Sequence, residues 1–359
     1  TATPSVWARA RDWFAGLDWA LWLRLTLLAL VVGELWCNNS WDYPTTMGLS
    51  LVAIALGLYA DLRRKGRNPF SLQALGQLAL QGGFVVLLSM VFFRPYHSNF
   101  GLAYSSMERW KGERTPLGDY LLIHGAFLFI LTTYLLTSAF GRRSRNAIVR
   151  ALRLFVRPAP RRQRAAELYA LLVRCQRLGY ESAWLGIAFV ALLLAIFLLT
   201  KAWVLLVGLP ILVLAIALVF EGQASAAQRF QRVLVALGMT LTLAVEYIVL
   251  KGDIGRMNTV FKFYLQVWIM WGIASAVALA QVIPRLAQWR PSLARSWRTT
   301  LTVLLVGVAL YPICATYGKV RDRWDRGLPA GLDGTRYMTT ARYHDNGHEL
   351  VLGNDRQAI

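Results

Sequence analysis

Acidic residues are scarce in this chain: 19 Asp and Glu stand against 39 Lys and Arg in 359 residues, for a net charge of +20. Charged residues of both signs make up only 16%, too few to cover a soluble domain of this length. Cysteine is nearly absent. Cys37, Cys175 and Cys314 have no metal-type spacing and cannot build a disulfide framework, which excludes zinc modules and small disulfide-stapled scaffolds. No G-x-x-x-x-G-K-[ST] string occurs, so ATP-driven chemistry is disfavoured. Internal repeats and low-complexity tracts are also missing. The chain starts at Thr1 with no signal-peptide pattern before its first apolar run, and reads as a fragment or processed piece.

What is present is apolar: 56% of residues, with 14 Trp and a mean hydropathy of +0.43. A bilayer core of about 30 Å is crossed by roughly 20 apolar helical residues. Nine stretches meet that length, at 19–37, 43–60, 70–93, 118–140, 182–200, 202–220, 233–250, 259–283 and 299–317. The expected fold is therefore an all-α, polytopic transmembrane helix bundle of about nine spans. Residues 1–317 would form the membrane domain and 318–359 the start of an extracytoplasmic segment.

The location of the charge decides its meaning. Segments on the side of Thr1 hold 23 Lys and Arg but six acids, whereas the opposite side holds 14 and eleven, counting Asp119 at a span edge. By the positive-inside rule this predicts a multi-pass protein of the cell membrane, with a cytoplasmic N-terminus and an extracytoplasmic C-terminus. The arginine-rich stretch 141–181 reads as amphipathic helices on the inner leaflet, attracted to anionic lipid. It has neither an independent fold nor an aromatic platform, so nucleic acid is not an expected partner.

Ionisable groups inside spans are costly and mark interiors, cavities or partners. Four of the five here, Glu34, His124, Glu246 and Lys262, fall in the outer half of their spans. Glu246 and Lys262, at matched depth across a short hairpin, could form a buried ion pair that only fixes packing. Asp42, two residues before Pro44, could cap the second span or act as a catalytic or metal-binding carboxylate. The loop 94–117 alternates cations with aromatics, either to hold an anionic headgroup or to lie in the interface as an amphipathic turn. The densest constellation is E-Y-I-V-L-K-G-D-I-G-R-M-N-T-V-F-K-F-Y at 246–264. There Asp253 could hold a divalent cation while Arg256 and Lys262 meet phosphate near a helix N-terminus. The competing reading is a salt-bridged turn with Asn258 as helix N-cap.

Four strings carry a resemblance: N-S-W-D-Y-P-T (39–45), R-T-P-L-x-x-Y-L-L-I-H-G (114–125), G-D-I-G-R-M-N-T-V-F-K-F-Y-L-Q-V-W (252–268) and L-D-G-T-R-Y-M (332–338). They resemble those of the "YYY" membrane proteins of Chloroflexi and archaea, grouped with GT-C-type glycosyltransferases that use polyprenyl-phosphate-linked sugars. The resemblance runs from about residue 22 to the end and places Trp41, Asp42, Arg114, His124, Asp253, Arg256, Asn258 and Lys262 at motif positions, without assigning them roles. The tyrosine run that names the family and the acidic first outer loop of GT-C enzymes have no counterpart, so the likeness is to a C-terminal half.

The resemblance implies a GT-C-like membrane glycosyltransferase that moves a sugar from a polyprenyl-phosphate donor to an extracytoplasmic acceptor. By their own chemistry and placement, not by the resemblance, Asp42, Asp253 and His124 are the expected catalytic residues. Arg114, Arg256, Asn258, Lys262 and Glu246 would bind substrate or phosphate, and Asp253 would carry a divalent cation, Mg or Mn. Membrane lipids, the polyprenyl-phosphate sugar and other membrane subunits are the expected partners. The alternative is a non-catalytic membrane subunit or scaffold that binds lipid or a partner complex. Transport, which calls for mid-depth charges and broken helices, ranks below both.

Overall fold

A computed structural model describes residues 18–99, 101, 106–139, 202–221, 224–323, 331–345 and 347–352. The amphipathic stretch 141–181 and the span at 182–200 lie outside these residues. Most of the apolar runs expected to make helices do so among the described residues. Helix α1 (Trp19–Asn38) starts on the Asp18 side chain, which accepts from the Leu21 amide at 3.1 Å. Helix α2 (Asp42–Arg64) opens directly after it, and α3 (Leu72–Phe92) is capped by Ser71. A short helix α4 (Arg94–Asn99) and strand β1 (Met107–Arg109) lead to α5 (Leu117–Ala139). After the undescribed stretch come α6 (Val204–Val219), α7 (Ala226–Ala244), strand β2 (Ile248–Leu250), α8 (Met257–Val282) and α9 (Pro291–Arg323). Among the described residues, six helices are long and apolar enough to cross a membrane. Leu122 is 87% exposed and Phe261 68%, the surface of a helix whose outer face meets lipid rather than water.

The chain divides into two compact units at Arg298. In the first, α1, α2 and α3 close around Leu25, Ala29, Val32, Tyr43, Met47 and Val85, and α5 to α8 form a second group joined to them where α2 meets α7. The second unit holds the largely exposed apolar length of α9 from residue 299, a short turn at Arg336–Thr339 and the antiparallel hairpin of β3 (Arg342–Asp345) with β4 (His348–Val351). Cys37 and Cys314 are free thiols.

The span expected at 233–250 is displaced. Its helix runs from Ala226 to Ala244 and the apolar Ile248–Leu250 is a strand. Arg229 and Arg232 interrupt the hydropathy there, yet both are buried, because their guanidinium groups donate to carbonyls at and just beyond the end of α6: Arg229 to Val219 and to Glu221 (2.6 Å), Arg232 to Leu218. Arg232 also meets the Glu221 carboxylate at 2.9 Å. Cations at a helix C-terminus satisfy orphan carbonyls and oppose the negative end of the dipole. The α6 helix, at 16 residues, is shorter than the span expected at 202–220.

Helix α7 approaches α8 closely at Gly238. A Cβ there would stand 2.2 Å from Trp271 Nε1, which donates to the Val235 carbonyl at 3.3 Å, and the indole is fully buried. Gly238→Ala is expected to destabilise the chain by about 1–3 kcal/mol, as overpacking of a filled core does. Thermal or SDS unfolding of the two purified proteins checks this, and an unchanged midpoint would show that Trp271 moves aside freely.

Candidate functional site

Chain reversal after α7 builds the site. Gly252 and Gly255 take positive φ (84° and 63°), and β2 between them and α7 pairs with β1 in the register Met107 to Leu250 and Arg109 to Ile248. The Trp110 amide donates to the Tyr247 carbonyl at 2.8 Å, and the Lys251 amide to Ser106 at 3.0 Å. This small sheet ties residues 106–115 over the turn and sets Thr115 against Glu246.

Glu246 is fully buried and its carboxylate is filled by protein donors. Oε2 accepts from the Thr115 amide at 2.9 Å, while Oε1 accepts from the Thr115 hydroxyl at 2.5 Å and from Arg256 Nη1 at 3.1 Å. Arg256 also donates through Nη1 to the Val245 carbonyl (2.9 Å) and through Nη2 to Thr115 Oγ1 (2.7 Å), with its guanidinium over the Trp110 ring at 5.6 Å. A guanidinium only donates and a carboxylate only accepts, so the Thr115 hydroxyl must take its bond from Arg256 and give its proton to Glu246. The ion pair expected between Glu246 and Lys262 is thus formed with Arg256 instead, because the turn through Gly255 folds Arg256 back onto the end of α7. Lys262 lies half-buried farther along α8. Beside the cluster, Arg114 stacks over Tyr247 at 4.7 Å, and its Nη1 is buried with no protein hydrogen-bond partner.

Asp253 performs a different task from the one its position in the turn suggested. Oδ1 accepts from the Asn258 amide (3.2 Å) and side chain (3.0 Å), and Oδ2 from the Thr259 amide (2.8 Å) and hydroxyl (2.7 Å). Arg256, not Asn258, is the N-cap residue, and the orphan amides of the first turn of α8 are satisfied by Asp253 from the preceding loop. Partial burial works to raise the Asp253 pKa, but the bonds from Thr259 and Asn258 outweigh it and hold the carboxyl below its ordinary value. A carboxylate with two donors on each oxygen is a helix cap, and this donor set does not fit a divalent cation. Among the described residues, no three His, Cys, Asp or Glu side chains group together as metal ligands would.

That shift has a pH signature. A carboxyl with a folded pKa below its unfolded value of about 3.9 contributes stability that is fully present above that value and is lost as pH falls through the folded one. Asp253→Asn is expected to lower stability at neutral pH by about 0.5–2 kcal/mol, the range for losing a helix cap, and to remove this contribution to the acid dependence. Unfolding midpoints followed from neutral pH to below pH about 4 measure it, and identical acid profiles for the two proteins would contradict the capping role.

Asp42 is the first residue of α2, with Trp41 at the N-cap position. Its Oδ1 accepts from Asn39 Nδ2 at 3.0 Å and from Gln266 Nε2 at 2.6 Å, and Gln266 also reaches the Trp41 carbonyl at 3.1 Å. The carboxylate therefore links α2 to α8. His124 lies deeper than a residue at a span edge: it is fully buried two turns into α5, with Tyr264, Tyr120 and Trp271 rings at 4.6, 5.0 and 5.4 Å. Neither ring nitrogen has a protein partner, while Tyr120 donates to Thr242 at 3.1 Å.

Of the expected residues, Glu246 and Arg256 meet directly, Arg114 lies beside them through Thr115, and Asp253 pairs with Asn258. Asp42 belongs to a separate contact with Gln266, and His124 to an aromatic layer within the bundle. Thr115, Tyr264 and Gln266 were not singled out in the sequence. Thr115 stands just before Pro116 and reads as an ordinary helix start, and its partner lies 131 residues away, a distance no periodicity reveals.

A family model described as "Uncharacterized membrane protein (DUF2298)" matches residues 5–271. No curated protein and no solved structure matches the chain.

Proposed function

Because the chain belongs to the DUF2298 family of uncharacterized membrane proteins, a description that names no chemistry, we propose its function from the site: a membrane glycosyltransferase of the GT-C type, which moves a sugar from a polyprenyl-phosphate donor to an extracytoplasmic acceptor. The supporting observation is the pair of guanidinium groups at one end of the bundle. Arg256 is fixed by Glu246 and Thr115, and Arg114 carries a buried donor with no protein acceptor. Guanidinium forks match phosphate oxygens, and a preorganised pair stabilises charge that grows on a leaving phosphate. The acceptor oxygen bonds to the anomeric carbon, and the bond from that carbon to the phosphate oxygen breaks. Its electron pair leaves with the lipid phosphate, and the acceptor proton passes to Asp42, a carboxylate of this end that neither caps α8 nor pairs with Arg256. Lys262, half-buried on α8, adds positive charge.

One observation favours a second reading, a non-catalytic subunit that holds a lipid phosphate. Both oxygens of Glu246 and of Asp253 are taken by protein donors, which suits a rigid binding platform as well as a reactive one. The full chain in nanodiscs, given polyprenyl-phosphate-linked sugar and acceptor, separates the two. Transfer that falls on Arg114→Ala, Arg256→Ala or Asp42→Asn supports the enzyme. Lipid-phosphate binding without any transfer supports the subunit.

A further inference from the structure

An apolar groove of about 650 Å³ runs between α2, α6 and α7; Trp41, whose carbonyl accepts from Gln266, lines it at the sheet end, while Arg114, Thr115, Glu246 and Arg256 do not. Its walls are Pro44 to Val52 of α2 and Val233 to Ala244 of α7, with Phe220 at the opposite end of α6 and Met107, Ile248 and Phe263 at the end of the small sheet. Small residues make the hollow: Gly48, Ala236, Thr240 and Ala244. Its rim is exposed at Val52, Ile216 and Phe220. From Val233 to Ala244 the helical rise gives a length of about 17 Å, close to one leaflet's share, about 15 Å, of a bilayer core. The sheet end carries a cation on the groove side. Met107 and Arg109 share one face of β1 by the two-residue period, and Arg109 is the cross-strand partner of Ile248, so the exposed Arg109 stands over the mouth that Met107 and Ile248 line.

From this we infer that the groove is a site for one acyl chain of an anionic phospholipid, which enters sideways from the leaflet at the sheet end and leaves its phosphate beside Arg109. The one-leaflet depth matches an acyl chain, whereas a long isoprenoid would overrun it, and the cation at the mouth matches the headgroup charge. This lipid site is separate from the Arg114 and Arg256 cluster and holds whether or not the chain transfers sugar.

The test uses the full chain in nanodiscs of phosphatidylglycerol or of phosphatidylcholine, each doped with the same lipid carrying a photoreactive diazirine on its acyl chain, followed by peptide mapping. Labelling should concentrate in 42–52 and 233–244 and be stronger with phosphatidylglycerol. A Cβ at Gly48 meets nothing within 4 Å, so Gly48→Leu fills the groove without a protein clash and should abolish that labelling while leaving the unfolding midpoint intact. Arg109→Gln should abolish the preference for the anionic lipid and retain the labelling. Labelling that persists in Gly48→Leu, equal labelling from both lipids in the native chain, displacement by added polyprenyl phosphate, or cross-links to a second copy at these peptides would each overturn the assignment.

Discussion

Replacing Glu246 by alanine is expected to destabilise the chain by about 3–5 kcal/mol, the cost of removing one partner of a buried ion pair. The carboxylate is fully buried and takes three protein hydrogen bonds, so its loss strands the Arg256 guanidinium, 15% exposed, and the Thr115 hydroxyl and amide together. Glu246→Gln keeps an oxygen for one of these donors and should fall between the native chain and the alanine variant. Combining Glu246→Ala with Arg256→Met removes the stranded charge, so the double variant should be more stable than the sum of the single losses. SDS or thermal unfolding of the four proteins measures the coupling. Strict additivity would mean that the two residues do not hold each other.

The second large effect is on function. Under the proposed function, Arg256→Ala is expected to lower sugar transfer by a factor of about 10²–10³, the loss typical of one preorganised donor to developing negative charge. Arg114→Ala should approach it, because its buried Nη1 is the donor free to meet phosphate. Arg256→Lys keeps the charge but cannot span Glu246, Val245 and Thr115 at once, so it should rescue stability more than rate. Equal recovery of both would assign Arg256 a packing role alone.

The long helices were legible because lipid-facing segments must be apolar nearly all round, and length alone separates them. The exceptions have physical causes. Arg229 and Arg232 mask the start of α7, since the carbonyls of α6 that neutralise their burial are not visible in a hydropathy window. The apolar Ile248–Leu250 lengthens the run at the other end, although those residues pair with β1. Around the site, residue types were legible and pairings were not. Asp253 and Asn258 were both recognised as polar turn residues, but which of them caps α8 depends on the two positive-φ glycines that bend the loop. Glu246 could be assigned a cation, yet the choice of Arg256 over Lys262 is made by that same bend. Thr115 enters only when β1 and β2 pair.

Central to the proposed function is a phosphate-holding role for Arg114 and Arg256 at the sheet end of the bundle. Its most direct test is the binding of a radiolabelled polyprenyl phosphate to the full chain in phosphatidylcholine nanodiscs, a background without anionic lipid. Saturable binding that is lost in Arg114→Ala and in Arg256→Ala, but kept in Gly48→Leu, is the expected result. Binding that fails to saturate, or that is equal in the native chain and both arginine variants, would contradict it.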